Sequence, residues 1–151
     1  MDINEDFADV VASLVAERAE FLIVGAYALA AHGFPRMTGD IDILVRPTAA
    51  NAERVYRALL AFGAPLSAHG VSASDFAAEG NVYQMGLPPR RIDVLTSVSG
   101  VSFDEANAEA IEGQLGSVVV RFIGKAALVR NKRAAGRPKD LVDADLLESD
   151  D

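Results

Sequence analysis

Hydrophobic positions along the chain recur at two spacings, and the changes between them mark out the elements. From residue 4 to 18 the apolar residues Phe7, Val10, Val11, Leu14 and Val15 fall at helical intervals, with Glu5, Asp6 and Asp9 in the first turns, where acids suit the helix dipole. Phe21 to Val24 is a short unbroken apolar run and predicts a buried strand. Gly25-Ala26 predicts a turn, and a short helix then runs to His32, closed by Gly33. The next strand carries Asp40 and Asp42 among Ile41, Ile43 and Val45, and Pro47 stops it.

Residues 48–62 read as a helix ended by Gly63, and residues 64–80, small, polar and rich in glycine, as a loop with at most one helical turn near Asp75. Residues 81–85 and 91–96 read as two strands joined by Gly86-Leu-Pro-Pro-Arg90, whose prolines forbid regular pairing. A capping box of Ser102 and Glu105 opens a further helix, which Gly113 ends. Residues 118–123 are the last strand candidate. A basic helix runs from Gly124 to Gly136, and Pro138 opens a final helix through Leu147, leaving 148–151 as a frayed tail.

Strand, helix and strand in alternation is an α/β (α+β) signature. The expected architecture is a small mixed, twisted sheet with helices mainly on one face and the acids along an exposed edge of the other. A chain of 151 residues fits one domain, residues 1–151, and is long enough to bury a core.

Composition narrows the function classes. Half the residues are hydrophobic and 24% charged, which argues against disorder. No apolar run approaches the roughly 20 residues of a membrane span, and the first residues are acidic where a signal peptide is basic, so the expected location is the cytoplasm. The absence of cysteine excludes thiol redox chemistry and thiolate zinc sites. A net charge of −8 disfavours sequence-independent grip on nucleic acid, and no DNA partner is expected. Seven of the 14 basic residues, however, lie between Arg121 and Lys139, where an anion can be held locally.

The candidate chemistry lies in the acids. Strand side chains alternate between faces, so Asp40 and Asp42 project the same way while Ile41 and Ile43 face the core. Asp93, between Ile92 and Val94, follows the same rule on a later strand. Two carboxylates held close repel, and a divalent cation is the usual resolution.

Gly25-Ala26, Asp40, Asp42 and Asp93 together resemble the signature of the nucleotidyltransferase superfamily related to DNA polymerase β. Arg36 and Thr38 before the pair, with Lys125, Lys132 and Arg137-Pro-Lys-Asp140, resemble its small bacterial abortive-infection type. The resemblance covers most of the chain and is weakest in residues 64–80. It implies transfer of a nucleoside monophosphate from an NTP such as ATP to a hydroxyl on an RNA end, a protein or a small molecule, with release of pyrophosphate, and a role in toxin–antitoxin or phage-defence systems. It further implies that Asp40, Asp42 and Asp93 are catalytic and hold Mg2+ or Mn2+, Asp93 also helping to take the acceptor's proton. Gly25, Ala26, Arg36, Thr38, Lys125 and Lys132 would contact nucleotide or phosphate. Ala26 stands where the superfamily usually has Gly or Ser.

Each of these residues also has a plainer role. Gly25 can simply start a helix, Asp93 can be an exposed strand residue, Asp140 can pair with Arg137, His32 can serve the helix dipole, and Tyr27 can belong to the core. Two other functions compete with transfer: a nucleotide- or partner-binding module that has lost turnover, and a divalent-dependent phosphohydrolase.

Overall fold

The computed structural model describes residues 4–35, 39–87 and 90–149. Helix α1 spans Glu5–Ala16 behind the cap Asn4, whose side chain accepts from the Asp6 N–H at 2.8 Å. It buries Phe7, Val10, Val11 and Leu14, while Val15 at the end of the expected stripe is 40% exposed. Strand β1, Phe21–Val24, leads straight into helix α2, Gly25–Ala31, with no intervening turn. Strand β2 is Ile41–Val45, so Asp40 stands just before the strand.

Helix α3, Ala49–Phe62, is capped by Thr48 and closed by Gly63 in the left-handed region at φ 103°. The loop after it contains one 3-10 segment, Ala73–Ala77, where the Ser72 N–H donates to Asp75 Oδ2 at 2.9 Å. Strands β3, Val82–Met85, and β4, Ile92–Leu95, follow. The Ser102–Glu105 capping box opens helix α4, Phe103–Ala108.

The chain then departs from expectation. Gly113 does not end a helix but lies inside a sixth strand, β5, Ile111–Leu115, paired antiparallel with β6, Val118–Phe122. A Cβ at Gly113 would sit 3.0 Å from Cε2 of Phe122, so this glycine is where an aromatic ring closes over the backbone. Helices α5, Lys125–Ala135, and α6, Pro138–Ser149, pack together, and α6 carries Glu148 and Ser149 in helix rather than in a frayed tail.

The six strands form one mixed sheet in the order β3-β4-β2-β1-β6-β5, as expected of an α/β fold. The central strands are buried on both faces, with Leu22, Ile23, Ile41, Ile43, Leu44 and Val94 at most 1% exposed. Helices α1 and α3 pack on each other and against β6 and β2. Buried Asn51 of α3 ties the start of β1 to the end of β2. It accepts from the Glu20 N–H at 2.7 Å and donates to the carbonyls of Glu20 and Arg46 at 2.9 and 3.0 Å. The strands that carry the acids are therefore interior strands, not the exposed edge expected from sequence.

Candidate active site

β2 and β4 run parallel with Asp42 opposite Asp93, and β1 places Val24 opposite Asp42. Residues opposite one another on paired strands share a face. Two aspartates 51 positions apart thus stand side by side at the mouth of the sheet. Asp93 is 6% exposed, so it is not the solvated strand residue that its plainer role requires.

Asp42 feels this crowding. Burial pushes its carboxyl up to about 6, the neighbouring Asp93 and Asp40 add to the rise, and Arg91 opposes it. Gly25 belongs to the same packing. It has a φ of +66°, and a Cβ there would overlap Asp42 Oδ2 and lie 3.1 Å from Asp42 Cγ. The glycine makes room for a carboxylate of its own chain at the start of α2. Ala26 follows as the second helical residue, half-buried, in a helix with no side-chain cap.

Arg91 was not among the candidates, yet it binds two of the three acids. Its Nε donates to Asp93 Oδ1 at 2.8 Å and its Nη2 to Asp93 Oδ2 at 3.1 Å, the paired geometry at which arginine excels. The same Nη2 lies 3.6 Å from Asp40 Oδ2, and the Arg91 backbone N–H donates to Asp40 Oδ1 at 3.2 Å. A signal existed in the sequence: Arg91 precedes Asp93 by two residues on one strand and so shares its face.

Beside Asp42 opens a cavity of about 480 Å3. Gly25 and Asp42 line it from the sheet, Ser97 and Ser99 from the loop after β4, Asn131 and Lys132 from α5, Arg137 from the link after α5, and Asp140 from α6. Lys132 is 9% exposed, with Nζ 3.5 Å from Asp140 Oδ1 and 3.3 Å from Asp143 Oδ2. Burial pushes Asp140 up, but the hydrogen bonds and charges of Arg137 and Lys132 outweigh it and hold its carboxyl below the ordinary range. Arg137 Nε reaches Asp140 Oδ2 at 2.6 Å, so the Arg137–Asp140 pair is present while both residues also border the cavity.

The structure therefore gathers Gly25, Asp40, Asp42, Asp93 and Lys132 at one end of the sheet. Lys125 lies elsewhere, at the start of α5, lining a second cavity of about 800 Å3 with Glu109, Arg130, Arg133 and Glu148. Arg36 and Thr38 fall outside the described residues. His32 bonds the Ile123 carbonyl at 2.8 Å, His69 the Tyr83 hydroxyl at 2.9 Å, and Tyr27 packs edge-on to Phe7 at 6.1 Å, all structural roles. Ser97, Ser99 and Asn131 carried no sequence signal, since loop residues and one helix face come to share a cavity with Asp42 only through the fold.

Three aspartate side chains are the hard oxygen donors that Mg2+ or Mn2+ prefers. Among the described residues, no three His, Cys, Asp or Glu side chains converge closely enough to hold an ion as they stand. Arg91 stands among the carboxylates instead. The donor chemistry of the three aspartates nonetheless fits the ion.

No protein-family model matches the sequence, and no curated protein matches it. A solved structure from Thermotoga maritima, described as a "putative nucleotidyltransferase", is similar over 98% of this chain and 94% of its own, with a TM-score of 0.57 and 11% identity. At that identity the likeness is one of fold, and the chain has a nucleotidyltransferase-like fold. Among the described residues no helix is long and apolar enough to cross a membrane.

Proposed function

We propose that this chain is a divalent-metal-dependent nucleotidyltransferase that moves an NMP from an NTP to a hydroxyl acceptor. One observation carries the proposal: in a nucleotidyltransferase-like fold, Asp42, the register partner of Asp93 and close to Asp40, lines a cavity bordered by the buried cation Lys132. Asp40, Asp42 and Asp93 would hold Mg2+ or Mn2+, which supplies charge neutralisation for the pyrophosphate leaving group and activation of the attacking oxygen. Lys132 and Arg137 border the space a triphosphate would enter and offset its charge, since phosphoryl transfer is mostly positioning plus electrostatics. Ser97, Ser99 and Asn131 offer neutral hydrogen-bonding groups for orientation.

The acceptor is an RNA end, a protein or a small molecule, in a toxin–antitoxin or phage-defence setting; the resemblance noted from the sequence is the support for that setting. Arg36 and Thr38 remain phosphate contacts in this proposal on the same ground, whereas Lys125, which lines the other cavity, does not.

The test is pyrophosphate release from each of the four NTPs with Mg2+ or Mn2+, using total RNA and cell extract as acceptors. Asp42→Ala should lower release by at least about a hundredfold while leaving far-UV circular dichroism unchanged. A variant with wild-type turnover would refute the assignment. Free NMP as the product would replace transfer by hydrolysis.

A second function, nucleotide or partner binding without turnover, is favoured by two observations: Arg91 occupies Asp93, and Ala26 brings no hydroxyl to the start of α2. It predicts NTP binding with no release under any condition above.

A further inference from the structure

Arg91 holds its acids by three separate attachments, a paired grip on Asp93, a longer contact to Asp40 and a backbone N–H to Asp40. Asp93 is almost enclosed, so its carboxylate has little access to water and both oxygens are engaged by the guanidinium. A divalent ion bound to Asp93 and Asp40 would stand within a few ångströms of the arginine's positive charge. In a half-buried site that repulsion is strong. The Arg91 side chain is 30% exposed, which gives it a way out toward solvent.

Taking the metal-dependent function above as its basis, we infer that Arg91 is a resident counter-ion that a divalent cation must displace from Asp93 and Asp40. Arginine and metal alternate on the same carboxylates. In the metal-free protein the arginine satisfies Asp93 and keeps the strand end ordered; when the ion enters, the guanidinium turns outward and is free to meet a negatively charged ligand. The metal alone therefore binds weakly, because each binding event first breaks a paired, charge-assisted contact. Arg91 acts here as a positioning residue, through the carboxylates it holds.

The experiment measures Mn2+ binding without nucleotide, from the loss of the free-ion paramagnetic resonance signal, for the full chain and its Arg91→Ala, Arg91→Gln and Asp42→Ala variants. Arg91→Ala and Arg91→Gln should bind Mn2+ about tenfold more tightly than wild type, and Mn2+ should raise their melting temperatures by more. A merely structural arginine would not tighten metal binding when removed. Should the neutral variants fail to fold, Arg91→Lys keeps the charge but loses the paired grip, and it should show a smaller tightening in the same assay. Binding that depends on Asp42 but is equal or weaker in the folded Arg91 variants overturns the inference and leaves the metal site standing. Absence of Mn2+ binding from every folded protein overturns the metal site and the inference together.

Discussion

At the scale of single residues the site turns on Asp42, a carboxylate whose proton affinity is set by burial and by Asp93 and Asp40. Its folded value of about 6 lies above the ordinary 3.8, so the folded protein binds this proton more tightly than the unfolded chain. The associated stability is fully present below about 3.8 and is lost as pH rises through about 6. Asp42→Asn removes that titration. In EDTA, the variant should gain stability over wild type by on the order of 2 kcal/mol between pH 4 and pH 7, read by urea denaturation. A difference independent of pH would show that Asp42 is not raised. Asp42 and Asp93 were legible because strand alternation places them on predictable faces, and Asp40, just before β2, was legible from its spacing to Asp42 and the resemblance that this pair carries. Arg91 obeyed the same rule but carries the opposite charge, so a search for clustered acids passed over it. Lys125 and Lys132 are indistinguishable as members of one basic run, and only the packing of α5 sends Lys132 toward Asp42.

Among the elements, the pairing of α5 with α6 completes the cavity, and a buried cluster of Lys132, Asp140 and Asp143 fastens it. Arg133 adds an outer clasp to Asp145 at 3.1 Å and to Glu148. Exposed pairs of the second kind contribute little, whereas breaking a buried pair leaves a charge in an apolar surround. Asp143→Ala should therefore destabilise the protein by about 2 kcal/mol, below the usual range for a buried pair because Asp140 still faces Lys132. Arg133→Ala should change stability by less than about 0.5 kcal/mol, and thermal melts of the two variants decide the ranking. Helix limits were legible at Thr48 with Gly63 and at the Ser102–Glu105 start of α4, but not at the end of α4, where Gly113 reads as a stop and lies in β5. Strand β5 was not, because Ile111-Glu-Gly-Gln-Leu115 has weak strand propensity and forms through its partner β6 and the ring of Phe122.

For the whole molecule, the alternation of helices and strands sufficed to predict the α/β class, but the order of six strands depends on non-local pairing that no local pattern encodes. Charge is a property of the same scale. With −8 overall, the protein should not be retained on heparin at about 0.15 M salt, despite the basic stretch around α5; firm retention would show that this stretch outweighs the acidic remainder. The in-register meeting of Asp42 with Asp93, and the cavity wall supplied by residues 131–140, have a consequence in time. During synthesis the first two aspartates emerge long before the third, and the wall arrives later still. A slip of β4 by one residue would turn Asp93 inward and expel Ile92 and Val94, so a wrongly paired chain cannot assemble the site. A ribosome-bound chain that ends before residues 131–140 have emerged therefore lacks the wall of the cavity beside Asp42, and the path of the backbone itself sets the moment at which that pocket closes.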